Sequence, residues 1–153
     1  MFDYFVADLY CPNCGTFTPA TTLTNMQTYI RGLDANGSAL PIGYSFDPAD
    51  LTTAHITNSG YALISLPVGE VRRLMDVWFC PACKTEQWAV VEISQQKIAS
   101  IEAISIDRTT FEAAHFISEG NADFLAEAIT GITQTEIAER KLNSVDILKE
   151  RLK

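Results

Sequence analysis

Positive charge is scarce in this chain: 11 Lys and Arg stand against 19 Asp and Glu over 153 residues, giving a formal net charge of −8 with only two histidines. The deficit is shared equally between residues 1–100 and 101–153. An acidic surface repels phosphate backbones, favours basic partners and aids solubility. Long apolar runs are missing too, since the longest candidate, YALISLPVG, is broken by Pro67 and Gly69 and falls far short of the ~20 residues a membrane helix needs. The opening MFDYFVADLY carries aspartates where a signal peptide would carry cations, and no small-residue cleavage site follows. The expected location is the cytoplasm, where thiols stay reduced and a disulfide pair is the poorer account of cysteines.

Signatures of catalysis are also absent. There is no G-x-x-x-x-G-K-[ST], G-x-G-x-x-G, H-E-x-x-H or G-x-S-x-G. His55 in TTAHITN and His115 in EAAHFIS lie at no ligand spacing from the cysteines and read as surface or satisfied core histidines. Arg72 and Arg73 form the only basic doublet of the first hundred residues and read as a solvated strand edge. Asp47, Asp50, Glu112 and Glu119 could serve an enzyme, but their spacing singles none of them out. No catalytic residue is assigned.

What the chain does contain is four cysteines, all in two matched units, YCPNCG at 10–15 and FCPACK at 79–84. Each C-x-x-C turn lets two thiolates face one cation, and two such turns supply the four soft ligands of a closed tetrahedral shell. Cys11, Cys14, Cys80 and Cys83 are therefore expected to bind structural zinc. The same sulfurs could hold iron, act as a thiol redox pair or stand as unliganded buried cysteines. Redox chemistry usually asks for one C-x-x-C beside a βαβ pattern, and here there are two in a β setting. A closed shell leaves no open position for metal-bound water, so hydrolysis at the metal is not expected. The long segment between the units is compatible with a site, because loop-closure cost grows slowly with length. Gly15 suits the positive φ that follows such a turn, whereas Lys84 occupies the matching place in the second unit.

CPNCG and CPACK resemble the paired knuckles of the zinc-ribbon and rubredoxin-like families. The resemblance covers the two units and their flanking strands, and it implies metal binding without implying a function. MFDYFVADLY together with YIRGLDANGSAL also resembles a group of small uncharacterised bacterial proteins beginning MFDY. That likeness implies a bacterial accessory protein.

Periodicity organises the rest. Residues 2–10 read as a strand buried on both faces that runs into Cys11. MQTYIR and ALPIGYSF read as two strands of a hairpin around DANG, and DPADLTTAHITNSG as a polar connection with short helical character before the strand YALISL. VRRLMDVWF enters the second unit, EQWAVVEI leaves it, and KIASIEAISI turns back across SQQ as a further hairpin. The aromatics Phe2, Tyr4, Phe5, Tyr10, Trp78, Phe79 and Trp88 crowd both units and read as core packing.

Beyond residue 106 the period becomes helical. Thr109 with Glu112 predicts a capping box and Gly120 a stop, and a second helix is predicted from Asn121 as cap to Gly131. A third opens on Thr133 with Glu136 and places Ala138, Leu142, Val145, Leu148 and Leu152 on one stripe, which is expected to pack on the β region.

The expected fold is α+β, an antiparallel β domain clamped by a four-cysteine zinc ribbon and followed by a helical C-terminal segment. Residues 1–106 are read as the β-rich domain with a long insertion between knuckles, and 107–153 as the helical segment packed on it. The expected function is that of a non-enzymatic binding protein, an accessory or immunity/antitoxin-like protein holding a basic protein partner. Alternatives are a nucleic-acid-binding zinc ribbon, which the acidity disfavours, and an enzyme whose zinc is purely structural. No membrane partner is expected.

Overall fold

The computed structural model describes residues 1–152 and shows a mixed α+β fold in which two cores lie on opposite faces of one central sheet. Strand β1 (Asp3–Val6) leads into β2 (Leu9–Tyr10), which pairs with β3 (Phe17–Thr18) across the first cysteine unit. Strands β4 (Gln27–Thr28) and β5 (Ala39–Pro41) flank β1, the first antiparallel and the second parallel.

The predicted hairpin of MQTYIR and ALPIGYSF therefore does not form, since its two strands lie on either side of β1. The reason is Asp3, fully buried, whose carboxylate takes Nε of Arg31 at 2.7 Å, Nη2 of Arg31 at 2.9 Å, and the backbone N–H groups of Asn36 and Ser38 at 3.2 and 3.0 Å. Burial alone would raise its pKa, but these hydrogen bonds, led by Arg31, more than offset that and hold it below the ordinary carboxylate value. The DANG segment wraps an anion instead of closing a tight turn.

Helix α1 (Thr53–Asn58) follows a 3-10 turn at Pro48–Leu51, as the polar connection suggested, and β6 (Tyr61–Leu63) begins the central sheet. The long strands β7 (Val71–Cys80), β8 (Thr85–Ser94) and β9 (Lys97–Ile104) form its antiparallel body. The β8–β9 hairpin closes on Gln95 and Gln96 at φ +51° and +70°, which is the conformation of a two-residue turn matched to strand twist.

Helix α2 (Arg108–Ala113) is capped by Asp107, which accepts from the Thr110 N–H while the Thr110 hydroxyl accepts from the Asp107 N–H, so the box starts two residues earlier than predicted. It ends early because β10 (Phe116–Ser118) is drawn into the central sheet between β6 and β7. Gly120, predicted as a stop, and Asn121, predicted as a cap, both lie inside α3 (Glu119–Thr130), which starts after Ser118 and ends where expected, at Gly131 with φ +76°. The predicted third helix is two: α4 (Gln134–Glu139), capped by Thr133, and α5 (Ser144–Arg151), separated where Lys141 turns to φ +53°.

Alternation along β7 divides the cores. Leu74, Trp78 and Cys80 face the cluster containing Phe5, Met26, Leu40 and Val91, whereas Met75 faces Phe111, Ile117, Ala126, Val145 and Leu148 from the helices. Of the predicted stripe, Val145, Leu148 and Leu152 are buried and Leu142 half-buried, but Ala138 is exposed and Ile137 takes its place. Among the described residues no helix is long and apolar enough to cross a membrane.

Candidate metal centre and a buried carboxylate cavity

The two cysteine units close by the same bond. Gly15 N–H donates to the Cys11 carbonyl and Lys84 N–H to the Cys80 carbonyl, each at 2.8 Å. Both residues take positive φ, +73° for Gly15 and +56° for Lys84, so the second unit adopts the knuckle geometry even without glycine. The β2–β3 ladder presents the first unit and the β7–β8 hairpin presents the second, with Cys80 ending β7.

All four sulfurs lie within 4.8 Å of one another. Cys11 and Cys83 sulfurs are 3.8 Å apart and those of Cys14 and Cys80 are 3.7 Å apart. A tetrahedral ion with metal–sulfur bonds of about 2.3 Å requires sulfurs about 3.8 Å apart, so the donor set fits a metal ion of that size. The site straddles the surface: Cys11 and Cys80 are buried, Cys83 is half-buried and Cys14 is exposed.

Neighbours graduate the thiols when no ion holds them. Burial pushes the Cys11 thiol up to about 11. Hydrogen bonds from the Thr85 hydroxyl and then from the Asn13 amide bring Cys83 down to about 6, at sulfur distances of 3.0 and 3.5 Å. The Thr16 side chain lowers Cys14. A coordinating thiol must shed its proton, so metal uptake here is coupled to proton release.

Other sequence candidates do not join this cluster. His55 Nε2 sits 2.5 Å from the Ile30 carbonyl and 3.5 Å from Asp50, and His115 Nδ1 accepts the Arg73 N–H at 3.0 Å. Burial, followed by the charges of Arg73 and Arg72, lowers the His115 pKa. Arg72 donates to the carbonyls of Leu51 and Gly69, and Arg73 pairs with Glu92 at 2.9 Å, so the doublet is tied down where a freely solvated edge was expected. Trp78 and Phe5 are core, as read, but Tyr10 and Phe79 are exposed, and the Tyr10 ring packs 5.1 Å from that of Phe17 on the outer face of the first knuckle.

The sequence reading missed Asp76 and Tyr61. Asp76 shares the core-facing side of β7 with Leu74 and Trp78, is 2% exposed, and accepts the Tyr61 hydroxyl at 2.5 Å; the Thr28 hydroxyl in turn donates to Tyr61 at 2.9 Å. Burial pushes the Asp76 carboxyl up to about 8, with the Tyr61 hydrogen bond opposing, and burial also raises Tyr61. A cavity of about 320 Å³ lies against this group between β4, β6, β7 and the start of α3. Asp47, Asp50, Glu112 and Glu119 do not line it. The available signal was the alternation of VRRLMDVWF, which sets a carboxylate at an apolar position.

No protein-family model, curated protein or solved structure matches this chain. The four-cysteine arrangement is compatible with a zinc knuckle, and no match carries the expected likeness to MFDY proteins.

Proposed function

We propose that the four cysteines hold one structural zinc ion and that the protein is a non-enzymatic binding module of the bacterial accessory or immunity/antitoxin kind, presenting an acidic surface to a basic protein partner. The observation that carries this reading is the closed four-sulfur shell, which offers a metal four soft ligands at tetrahedral spacing and leaves no position for substrate. Thiolate sulfur favours zinc over magnesium or calcium, and a complete set without an open site is the structural rather than the catalytic pattern.

The net charge of −8 supplies the electrostatic side of the reading. Exposed Tyr10, Phe17 and Phe79 beside the knuckles supply aromatic surface of the type interfaces use. Arg72 and Arg73 spend their donors on backbone carbonyls and on Glu92, which favours a protein partner over a phosphate backbone.

Native mass spectrometry of protein purified without chelator tests the metal, with the Cys80→Ser variant alongside. The expected result is one zinc per chain in the parent and loss of metal in the variant; iron, or no metal, refutes the zinc assignment. The partner is tested by co-purification from the native host at low and high salt. A basic protein retained at low salt and released at high salt is expected, and repeated captures returning only acidic proteins or nucleic acid refute that part.

A further inference from the structure

We propose that the cavity over Asp76 is a binding site for a small organic cation, a primary ammonium or guanidinium head carried on an apolar body. This inference stands apart from the zinc and partner readings, because it rests on Asp76 in the middle of β7 and on residues of β4, β6 and α3, and on none of the cysteines. It concerns a carboxylate that the fold buries and only half satisfies.

The head site has one sign. Of the two Asp76 oxygens, Oδ2 takes the Tyr61 hydroxyl, whereas Oδ1 takes no hydrogen bond. Among the described residues no fully buried side-chain oxygen lacks a partner, so Oδ1 opens onto the cavity that Asp76 lines. Glu86 adds a second carboxylate at the rim, and no Lys, Arg or His lines the cavity. A buried carboxylate without a counter-ion is costly, and an arriving ammonium supplies that counter-ion through a charge-assisted hydrogen bond. The volume of about 320 Å³ admits a small ligand.

The body site adjoins it. A second hollow of about 270 Å³ shares Val77, Glu86 and Asn121 with the first and continues over Trp88, Phe124 and Leu125. Phe124 is 63% exposed there, an aromatic on the polar side of a helix whose buried residues are Ala122 and Ala126. The sequence of surfaces is thus carboxylate, amide rim, then apolar shelf, which is the order of groups in an arylalkyl or alkyl amine. Burial keeps the Asp76 carboxyl protonated near neutrality. On binding, that proton passes to solvent and the ligand's ammonium takes its place against Oδ1.

The test uses phenethylammonium as probe, with phenethyl alcohol as its neutral isostere, followed by calorimetry in two buffers of different protonation heat. The expected result is about tenfold tighter binding of the ammonium than of the alcohol, with a proton released on association at neutral pH. Asp76→Asn is expected to abolish the preference, and Phe124→Ala to weaken phenethylammonium several-fold while leaving methylammonium unchanged. Should Asp76→Asn fail to fold, Glu86→Gln on the exposed rim carries the test, with a reduced preference expected. A blocked Phe-Lys dipeptide separates sources: tighter binding than the free amine assigns the site to a lysine of a protein ligand, weaker binding to a free small molecule. No ammonium binding at millimolar concentration, equal binding of the alcohol, or a preference that survives both carboxyl substitutions overturns the proposal.

Discussion

Replacing Asp76 by Asn should change how stability depends on pH more than it changes the fold. The Asp76 side chain is buried but for its opening onto the cavity, and its pKa is pushed from an ordinary 3.8 to about 8 in the folded chain, so between those values the native state holds a proton that the unfolded state has released. A group raised by folding contributes its full stability below the unfolded pKa and loses it as pH climbs through the folded one. Native protein should therefore lose stability by about 1.4 kcal/mol per pH unit across that window through this group. From about pH 5 to about pH 7 the loss relative to Asp76→Asn, which cannot ionise, is on the order of 3 kcal/mol. Other titratable groups facing Asp76 in the cavity are Tyr61, Tyr29 and Glu86, and all three are common to both proteins. Urea unfolding of parent and variant at a series of pH values, with metal saturating in both, reads the difference directly, since cysteine protonation cancels in the subtraction. Curves that run parallel from about pH 5 to about pH 8 would refute the buried-acid argument.

Two further substitutions probe the turn chemistry and the buried ion pair. Lys84→Gly relieves a left-handed backbone at φ +56° and should stabilise the metal-bound protein by about 1 kcal/mol in thermal unfolding; destabilisation would show that the Lys84 ammonium matters to the thiolates more than the strain does. Asp3→Ala strands the Arg31 guanidinium and two backbone N–H groups and should cost about 3–5 kcal/mol, whereas Glu92→Ala, which breaks the half-exposed Arg73 pair, should cost less than about 1 kcal/mol. Equal denaturation midpoints for the two variants would contradict that ranking.

Where local rules act alone, the sequence told the truth. The cysteine units, the β8–β9 hairpin, the Thr133 cap and the Gly131 stop each depend on a few adjacent residues, and each stands where their chemistry put it. Misreadings cluster where distant residues intervene. Nothing near DANG reports that Asp3 lies buried 33 positions before Asn36 and claims its N–H. Nothing in EAAHFIS announces that Phe116 and Ile117 pair with Leu63, Ala62, Leu74 and Met75, a contact that stops α2 short and converts a predicted helix interior into a strand. The α4–α5 break is subtler, because the apolar spacing carries across it and the interruption is marked by the left-handed Lys141 and by Asn143, whose side chain caps α5. Asp76 was legible in principle: a charged residue in phase with Leu74 and Trp78 is either a register error or a purposeful burial.

Strand β7 ties the metal site to the rest of the molecule, and that connection has a measurable consequence. Cys80 and Trp78 extend from its core-facing side, while the Phe79 N–H beside them donates to the Thr24 carbonyl at 2.7 Å and so pins the β3–β4 connection to the central sheet. The first knuckle is reached only through the short β2–β3 ladder, so a metal bridging Cys11 and Cys14 to Cys80 and Cys83 would hold the N-terminal strands against a sheet they otherwise meet through side-chain packing and a few hydrogen bonds, such as Phe79 to Thr24 and Thr28 to Tyr61. The second core, with Phe111, Ala126, Val145 and Leu148, lies on the other face and contains no cysteine. Removing the metal with a chelator should therefore speed amide exchange first at Phe79 and along β1–β4, while the amides of Leu74 and Val91 and of the α3–α5 core stay protected. Hydrogen exchange followed residue by residue makes the comparison. Uniform loss of protection would make the metal a condition of folding as a whole, and unchanged exchange at Phe79 would show that the N-terminal strands hold to the sheet without the metal.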